Sequence, residues 1–415
     1  VGDKWLRQGG HLVFLITQTH FQSPSSQGFR SFRINDQAGF VPVEIDDLKK
    51  LKPFPKVANA TAIMHLRKVP ADELPVYPVP YHVWEKAPGA SASIPDTLTP
   101  AAVRARVTIK EWEATPVAGG NSPWAILAPG RFALMGSLQG QSDWIAGRKG
   151  ITTDLNGVYM VRVIATNKAD RLLQVETRPE AGKRDIGPAR RFWVEPDMLY
   201  PLLKGASDFS ACHVHVDDDL YVFVPNTGIN QADYAAATAG IDKLKGTKAY
   251  FKAFKDQLKT RSTYKQRQPN APYYAVYNSG SYTFAPYKVV WAEQSSTFEA
   301  AVFTNSTVPE FAGTRPFVPD HKVYFSEFQD EAAAYFVCGL LNSSLVREYV
   351  QSHTIQIQVS NIFKHLSIPR YAPANADHKK LVELCKSAHQ AAGAAERQKK
   401  LAAMDNIAAN ILAGN

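Results

Sequence analysis

One four-residue phrase, CHVH at Cys212 to His215, sets a thiol and two imidazoles close together, side chains of the kind that hold soft divalent cations. In a strand Cys212 and His213 point to opposite faces, and no second ligand pair stands nearby in sequence. The phrase therefore predicts no metal centre. The VDDD run that follows, Val216 to Asp219, reads as a solvated turn. A second phrase, LKPFPKVANATAIM from Leu51 to Met64, holds Phe54 between Pro53 and Pro55 in a polar turn. Prolines fix their own φ and restrict the residue before them, so this ring has few places to point. Burial alone does not account for an aromatic in such a place. Thr17, Gln18 and Thr19 end an apolar run, and in an open α/β sheet ligands bind at the carboxyl ends of strands.

Patterning predicts the elements that position these residues. GDKWLRQGG reads as the end of a helix stopped by Gly9 and Gly10. HLVFLIT is a continuous apolar strand of the kind buried on both faces of a parallel sheet. A short helix, FRSFRI, separates it from two further strands, FVPVEID and ATAIMHLRK. Strand, helix, strand, strand predicts the tail of a larger α/β domain over residues 1–85. From 86 to 130 Pro, Ala and Gly are frequent, which predicts an extended connector with one helix in DTLTPAAVRARVTIKEW.

From 131 to 373 the pattern is mixed. GVYMVRVIAT and DLYVFVP alternate as strands, and EPDMLYPLLKG reads as a short helix closed by Gly205. TKAYFKAFKDQLKTR is a helix with Tyr250, Phe251, Phe254 and Leu258 on one face and Lys252, Lys255 and Lys259 away from it. DEAAAYFVCGLLNSSLVREYVQ is a longer helix and TIQIQVS a strand. Residues 374–415 form an Ala-rich helical tail with one break at AAGAA.

The 47 Lys and Arg outnumber the 38 Asp and Glu, giving +9, which favours an acidic partner, nucleic acid first. Cys212, Cys338 and Cys385 are odd in number with no CxxC, which argues against a disulfide framework and fits a reducing cytoplasm. No apolar run is long enough to span a bilayer, so no membrane is expected, and no G-x-G-x-x-G or P-loop occurs.

GGHLVFLITQTHFQSPSSQGFRSF followed by DDLKKLKPFPKVANATAIMHLRK resembles the second half of the catalytic domain of gamma-class adenine-N6 DNA methyltransferases. In that family a Gly-Gly turn leads into an apolar strand ending in a small polar residue. A short helix, a PF turn and a further strand follow. RRFWVEPDMLYPLLKG, SYTFAPYKVVW, FVPDHKVYF and EAAAYFVCGLLNSS are similar to the target-recognition region of large single-chain methylases of restriction-modification or phage-defence systems. The end of the same region also resembles type I specificity subunits.

The resemblance implies a Rossmann-like sheet tail, then a mixed α/β target-recognition domain and a helical tail. It implies methyl transfer from S-adenosylmethionine to an adenine amino group in double-stranded DNA, with Phe54 stacking on the flipped adenine. Thr17, Gln18 and Thr19 become candidates for the nucleotide pocket. The family's glycine-rich cofactor loop is not in this sequence, and its Asn-Pro-Pro-aromatic loop is matched only by PNAPYY, Pro269 to Tyr274, with Ala271 in place of the first proline. That phrase reads as a turn entering a strand. The expectation is a C-terminal fragment that binds and flips but does not catalyse alone, partnered by the upstream half and by other restriction or defence subunits. The alternative is a non-catalytic specificity subunit that pairs with a separate methylase. Candidate DNA contacts are Arg148, Lys149, Arg261, Tyr264, Lys265, Arg267 and Lys288, where Arg and Lys can position phosphates and Arg can read guanine.

Overall fold

The computed structural model describes residues 2–54, 59–90, 99–117, 119–216, 219–293, 297–307, 313–353 and 361–414. The chain divides into two compact units, Val1–Leu138 with Glu348–Gln356, and Gln139–Arg347 with Ile357–Asn415. The fold class is mixed α/β, with helices at the C-terminus. No described helix is long and apolar enough to cross a membrane.

Unit one opens with α1 (Gly2–Trp5), after which Gly9, at φ +74°, turns the chain into β1 (His11–Thr17). β2 (Ala38–Asp47), β3 (Thr61–Pro70), β4 (Val79–Lys86), β5 (Val107–Pro116) and β6 (Trp124–Leu127) complete a sheet of order β1-β3-β2-β4-β5-β6. β2 and β4 run parallel; the other neighbours are antiparallel. β5 pairs with β4 from Val107 to Ala114, so the Pro- and Ala-rich stretch after residue 86 carries sheet as well as connection. The helix expected there is α2 (Pro100–Arg104), capped by the Thr99 side chain on the N–H of Ala102. α3 (Arg131–Met135) follows, its Arg131 paired with Glu348 at 3.0 Å.

One face of this sheet is packed. Ala62, Met64 and Leu66 of β3 and Tyr81 of β4 are buried against Phe21 and Trp124, whose rings stack 5.2 Å apart. FRSFRI yields a single 3-10 turn, Phe29–Ser31, instead of an α-helix. Arg30 is the reason: it is buried and donates to the carbonyls of His20 and Ser23 at 2.7 Å, Ser122 at 2.9 Å and Asn121 at 3.1 Å. The loop is knitted from within by one guanidinium.

β1 departs from its expected setting. It ends the sheet, pairs antiparallel with β3, and none of its seven residues is buried. Val13 is 59% and Leu15 54% exposed.

In unit two, β7 (Arg148–Lys149), α4 (Asn156–Tyr159), β8 (Met160–Asn167), β9 (Leu172–Thr177), β10 (Arg191–Val194) and β11 (Leu199–Leu203) lead to a small hairpin, β12 (Phe209–Ser210) and β13 (His213–Val214). After β14 (Leu220–Phe223) come α5 (Gln231–Asp242), α6 (Lys245–Ala253), α7 (Lys255–Lys259) and α8 (Ser262–Arg267). β15 (Tyr287–Ala292), β16 (Ala300–Phe303), β17 (Asn305–Thr307), β18 (Thr314–Pro316), β19 (Val318–Pro319) and β20 (Val323–Phe328) precede α9 (Glu331–Leu341), α10 (Ser344–His353), α11 (Ala376–His389) and α12 (Ala394–Ala413). The main sheets have orders β10-β9-β8-β14-β11-β19 and β16-β15-β20-β7.

The amphipathic pattern at residues 247–261 is borne out: Tyr250, Phe251, Phe254 and Leu258 are fully buried, while Lys252, Lys255 and Lys259 are exposed. Glu195 fastens this element, its carboxylate accepting from the N–H groups of Gly246 and Thr247 at 3.0 and 2.8 Å. EPDMLYPLLKG is not the expected helix. Only Pro196–Met198 forms a 3-10 turn; the apolar run then extends as β11, whose Pro201 cannot donate within a helix. The long helix expected from 330 divides into α9 and α10 at Asn342 and Ser343. TIQIQVS, Thr354 to Ser360, lies outside the described residues. The tail breaks between His389 and Ala394, where AAGAA falls.

Candidate nucleic-acid interface

In unit one the chemistry-bearing residues share one end of the sheet. β1 ends at Thr17, opposite Thr61 where β3 begins, and β2 ends at Asp47, opposite Ala62. The loop from β2 to β3 therefore overhangs the carboxyl ends of β1 and β2, and it carries Phe54. That ring is 44% exposed. Lys49, Lys50 and Lys52 precede it, all exposed. Lys50 pairs with Glu85, which also binds Lys110 at 2.9 Å. Hydrogen bonds from these two lysines hold the Glu85 carboxyl below its ordinary range. Lys49 and Lys52 have no acidic partner among the described residues. Sequence reasoning missed them, although the spacing KKLKPF contains the signal: cations directly beside a stiff aromatic.

The three polar residues at the end of β1 separate. Thr17 and Thr19 are half-buried. Gln18 is buried; its Nε2 donates to Gln22 Oε1 at 3.3 Å and to Tyr81 Oη at 3.4 Å. Tyr81 in turn donates to Asp47 Oδ2 at 2.7 Å. Burial and the neighbouring Asp47 push the Tyr81 phenol well above its usual range, so it stays a donor. Gln18 belongs to this internal chain and offers nothing to a pocket from that position.

In unit two the structure redistributes the candidate DNA contacts. Arg261 is buried, 2% exposed, with Nη1 donating to Thr153 O at 3.0 Å and Nη2 to Tyr273 O at 2.7 Å and Ala275 O at 2.9 Å. Its charge stacks on the Tyr159 ring, 5.2 Å from the centroid. This arginine braces loops and reaches no surface. Lys288 is likewise interior; its Nζ donates to Ala285 O at 2.6 Å, and desolvation pushes its pKa down to about 7. β15 buries every residue but Tyr287, so a lysine at its second position has nowhere else to go.

Arg148 pairs with Glu327 at 3.2 Å and lies over the Tyr282 ring, and Lys149 pairs with Glu293. Both charges are answered internally. Tyr264 is half-buried beneath Arg261. Lys265 and Arg267 remain exposed on α8 and have no acidic partner among the described residues. With Lys252, Lys255 and Lys259 they give the helical segment α6–α8 a cationic outer side. Nearby, Lys183, Arg184 and Lys322 line a cleft of about 420 Å³ together with the carboxylates of Asp154 and Glu180. Within unit two the exposed cations can neutralise phosphates, and within unit one the exposed Phe54 ring can stack on a base. A separate convergence, of Cys212, Cys338 and His389, offers metal-ligating atoms in the interior of unit two.

Comparison with known proteins places the chain at a distance from restriction-modification methyltransferases. The Type II methyltransferase M.NspV of Nostoc sp. (strain ATCC 29411 / PCC 7524) is 28% identical over 160 residues, which make up 38% of this chain and 30% of that protein. The Type IIL restriction-modification enzyme MmeI, solved in complex with DNA, aligns over 98% of this chain and 47% of its own, at 11% identity and a TM-score of 0.49. The type IIG restriction endonuclease BpuSI aligns over the same shares at 10% identity and a TM-score of 0.33. The matched part of the chain thus covers less than half the length of each. No protein-family profile matches it.

Proposed function

We propose that this chain is the C-terminal, DNA-recognising part of a site-specific adenine-N6 DNA methyltransferase of a restriction-modification or phage-defence system. The observation that carries the proposal is Phe54, an exposed ring stiffened by Pro53 and overhanging the carboxyl ends of β1 and β2. Alkylating an adenine amino group requires the base to leave the stack, and the extruded base needs a flat partner. Lys49 and Lys52 stand where flanking phosphates would pass, and Lys265 and Arg267 supply phosphate contacts in unit two. Thr17 and Thr19 line the nucleotide pocket. S-adenosylmethionine supplies the methyl group in such a reaction. No stretch of this sequence forms the glycine-rich loop that would cradle it, so no methyl-transfer step is assigned to these residues alone. The cofactor loop belongs to an upstream half, for which the uncovered β1 offers an edge and an apolar face.

The test begins with duplexes selected by the chain from a random pool, with 2-aminopurine then placed at each adenine of the selected site. Fluorescence should rise at one position. Phe54→Ala should cut that signal on the order of tenfold or more, as losing a base–aromatic stack worth roughly 1–3 kcal/mol requires, with an unchanged thermal melt. A variant that melts lower yet keeps the signal would make Phe54 a packing residue and sink the reading. In the same assay, Lys265→Ala with Arg267→Ala should flatten the slope of log affinity against log salt by roughly two. An unchanged slope removes α8 from the interface.

A further inference from the structure

All three cysteines of the chain meet in one place. Cys212 lies in the turn between β12 and β13, Cys338 in the middle of α9, and Cys385 on α11. All three are fully buried. His389 stands four residues after Cys385, one turn along the same helix, so the two side chains share a face. Cys212 Sγ is 3.7 Å from Cys385 Sγ, and Cys385 Sγ is 3.9 Å from His389 Nδ1. One ligand atom each from Cys212, Cys338 and His389 lie within 4.8 Å of one another.

The Cys212–Cys385 and Cys385–His389 separations are those of neighbouring ligands in a tetrahedral site. Zinc–sulfur bonds of about 2.3 Å at the tetrahedral angle place sulfurs about 3.8 Å apart. We propose that Cys212, Cys338, Cys385 and His389 form a closed structural site for a thiophilic divalent cation, Zn²⁺ above all.

Two features support more than the packing of small apolar thiols, the ordinary role of buried cysteine. The first is Asn342, the residue that ends α9. Its Nδ2 lies 3.4 Å from both Cys212 Sγ and Cys338 Sγ, and its position is fixed by Ala300, whose N–H donates to Oδ1 at 3.0 Å and whose carbonyl accepts from Nδ2 at 2.8 Å. With one Nδ2 proton on Ala300 O, the other faces the sulfurs and Cys338 O, so the amide can offer one hydrogen bond to a thiolate beside a metal. The second is the backbone of Cys212, at φ +50° in a tight turn. Glycine or asparagine is at home there, and a cysteine held in the left-handed region is uncommon, although Phe32, Lys52 and Arg171 adopt it too.

Occupation has a chemical balance. Each cysteine gives its thiol proton to solvent, so uptake of one Zn²⁺ releases up to three protons. His389 Nδ1 makes a hydrogen bond to Cys385 O at 2.8 Å, and Nε2 accepts from Val302 N at 2.9 Å. Coordination exchanges one of these bonds for the metal. The ion ties the β12–β13 hairpin to α9 and α11, joining Cys212 to ligands 126 and 173 residues farther along the sequence.

The experiment uses the whole chain, reduced and produced in zinc-supplemented medium. Elemental analysis should find about one zinc per chain. Replacing it with Co²⁺ should give a thiolate-to-cobalt charge-transfer band and the visible bands of tetrahedral cobalt. Cys338→Ser and His389→Gln should weaken or alter these bands, and a strong chelator should lower the melting temperature of the unaltered protein. The cobalt spectrum of the unaltered chain stands whether or not a variant folds. A zinc-free chain that melts cooperatively and gives no charge-transfer band overturns the proposal. So does a mass two hydrogens short with Cys212 joined to Cys385, which would make the cluster a site of oxidation.

Discussion

HLVFLIT in β1 and LYVF in β14 are both unbroken apolar runs, and the fold treats them oppositely. β14 is buried at all four positions, flanked by β8 and β11, with Phe223 4.7 Å from the Tyr250 ring of α6. β1 is buried at none of seven, with β3 on one side. The sheet of unit two carries its own cover in the aromatic face of α6 and α7. The sheet of unit one is packed on the face of Phe21 and Trp124 and open at β1. An apolar run records a demand for burial; which neighbour meets it is settled elsewhere in the chain.

The largest effect that would sharpen this contrast is in unit two. Arg261→Ala should strand at least three interior carbonyls and cost about 3 kcal/mol or more. Urea denaturation measures it; a cost within about 0.5 kcal/mol, as for a surface residue, would mean that unit two is not closed in this way.

Lys288 gives a smaller, pH-dependent effect. Its folded pKa is about 7 against an ordinary 10.5. Between those values the unfolded chain binds a proton that the folded chain does not, so stability rises with pH across that window and is flat below it. The full span of the effect is about 4–5 kcal/mol, at about 1.4 kcal/mol per unit. Lys288→Met should remove this rise and stabilise the chain at neutral pH. The check is the stability difference between the two proteins at pH 7 and pH 10; an equal difference at both would show Lys288 charged in the interior.

The smallest effect belongs to β1. Val13→Lys should change stability by no more than about 0.5 kcal/mol, because the side chain has little burial to lose. A loss of about 2 kcal/mol would place Val13 in a core and break the comparison.

How much was legible followed the range of the interactions. The α6–α7 stripe was readable because a 3.6-residue period is local, and the Phe54 turn because Pro53 and Pro55 are adjacent to it. β11 was misread as a helix because EPDMLYPLLKG carries a helix-like start and a glycine stop, and the strand state is imposed by β14 and β19. Arg261 and Lys288 look like surface cations in sequence; the carbonyls that hold Arg261 come from Thr153, Tyr273 and Ala275. CHVH shows only its immediate neighbours in sequence, and the partners of Cys212 lie on α9 and α11. Lys49 and Lys52 are plain in the sequence, and only the fold shows them exposed beside Phe54 with no acidic partner among the described residues.

The open margin of β1 also bears on how this protein behaves as a solute. Sheets commonly protect a terminal strand with a lysine, a proline or a bulge, and between His11 and Thr17 there is neither lysine nor proline. Seven residues of regular, largely apolar strand thus present a template on which a second copy can add, main chain to main chain. Crowding copies together favours that addition and dilution opposes it. Turbidity and light scattering should grow steeply with concentration, and a single lysine at position 13 would be the economical way to keep a preparation clear.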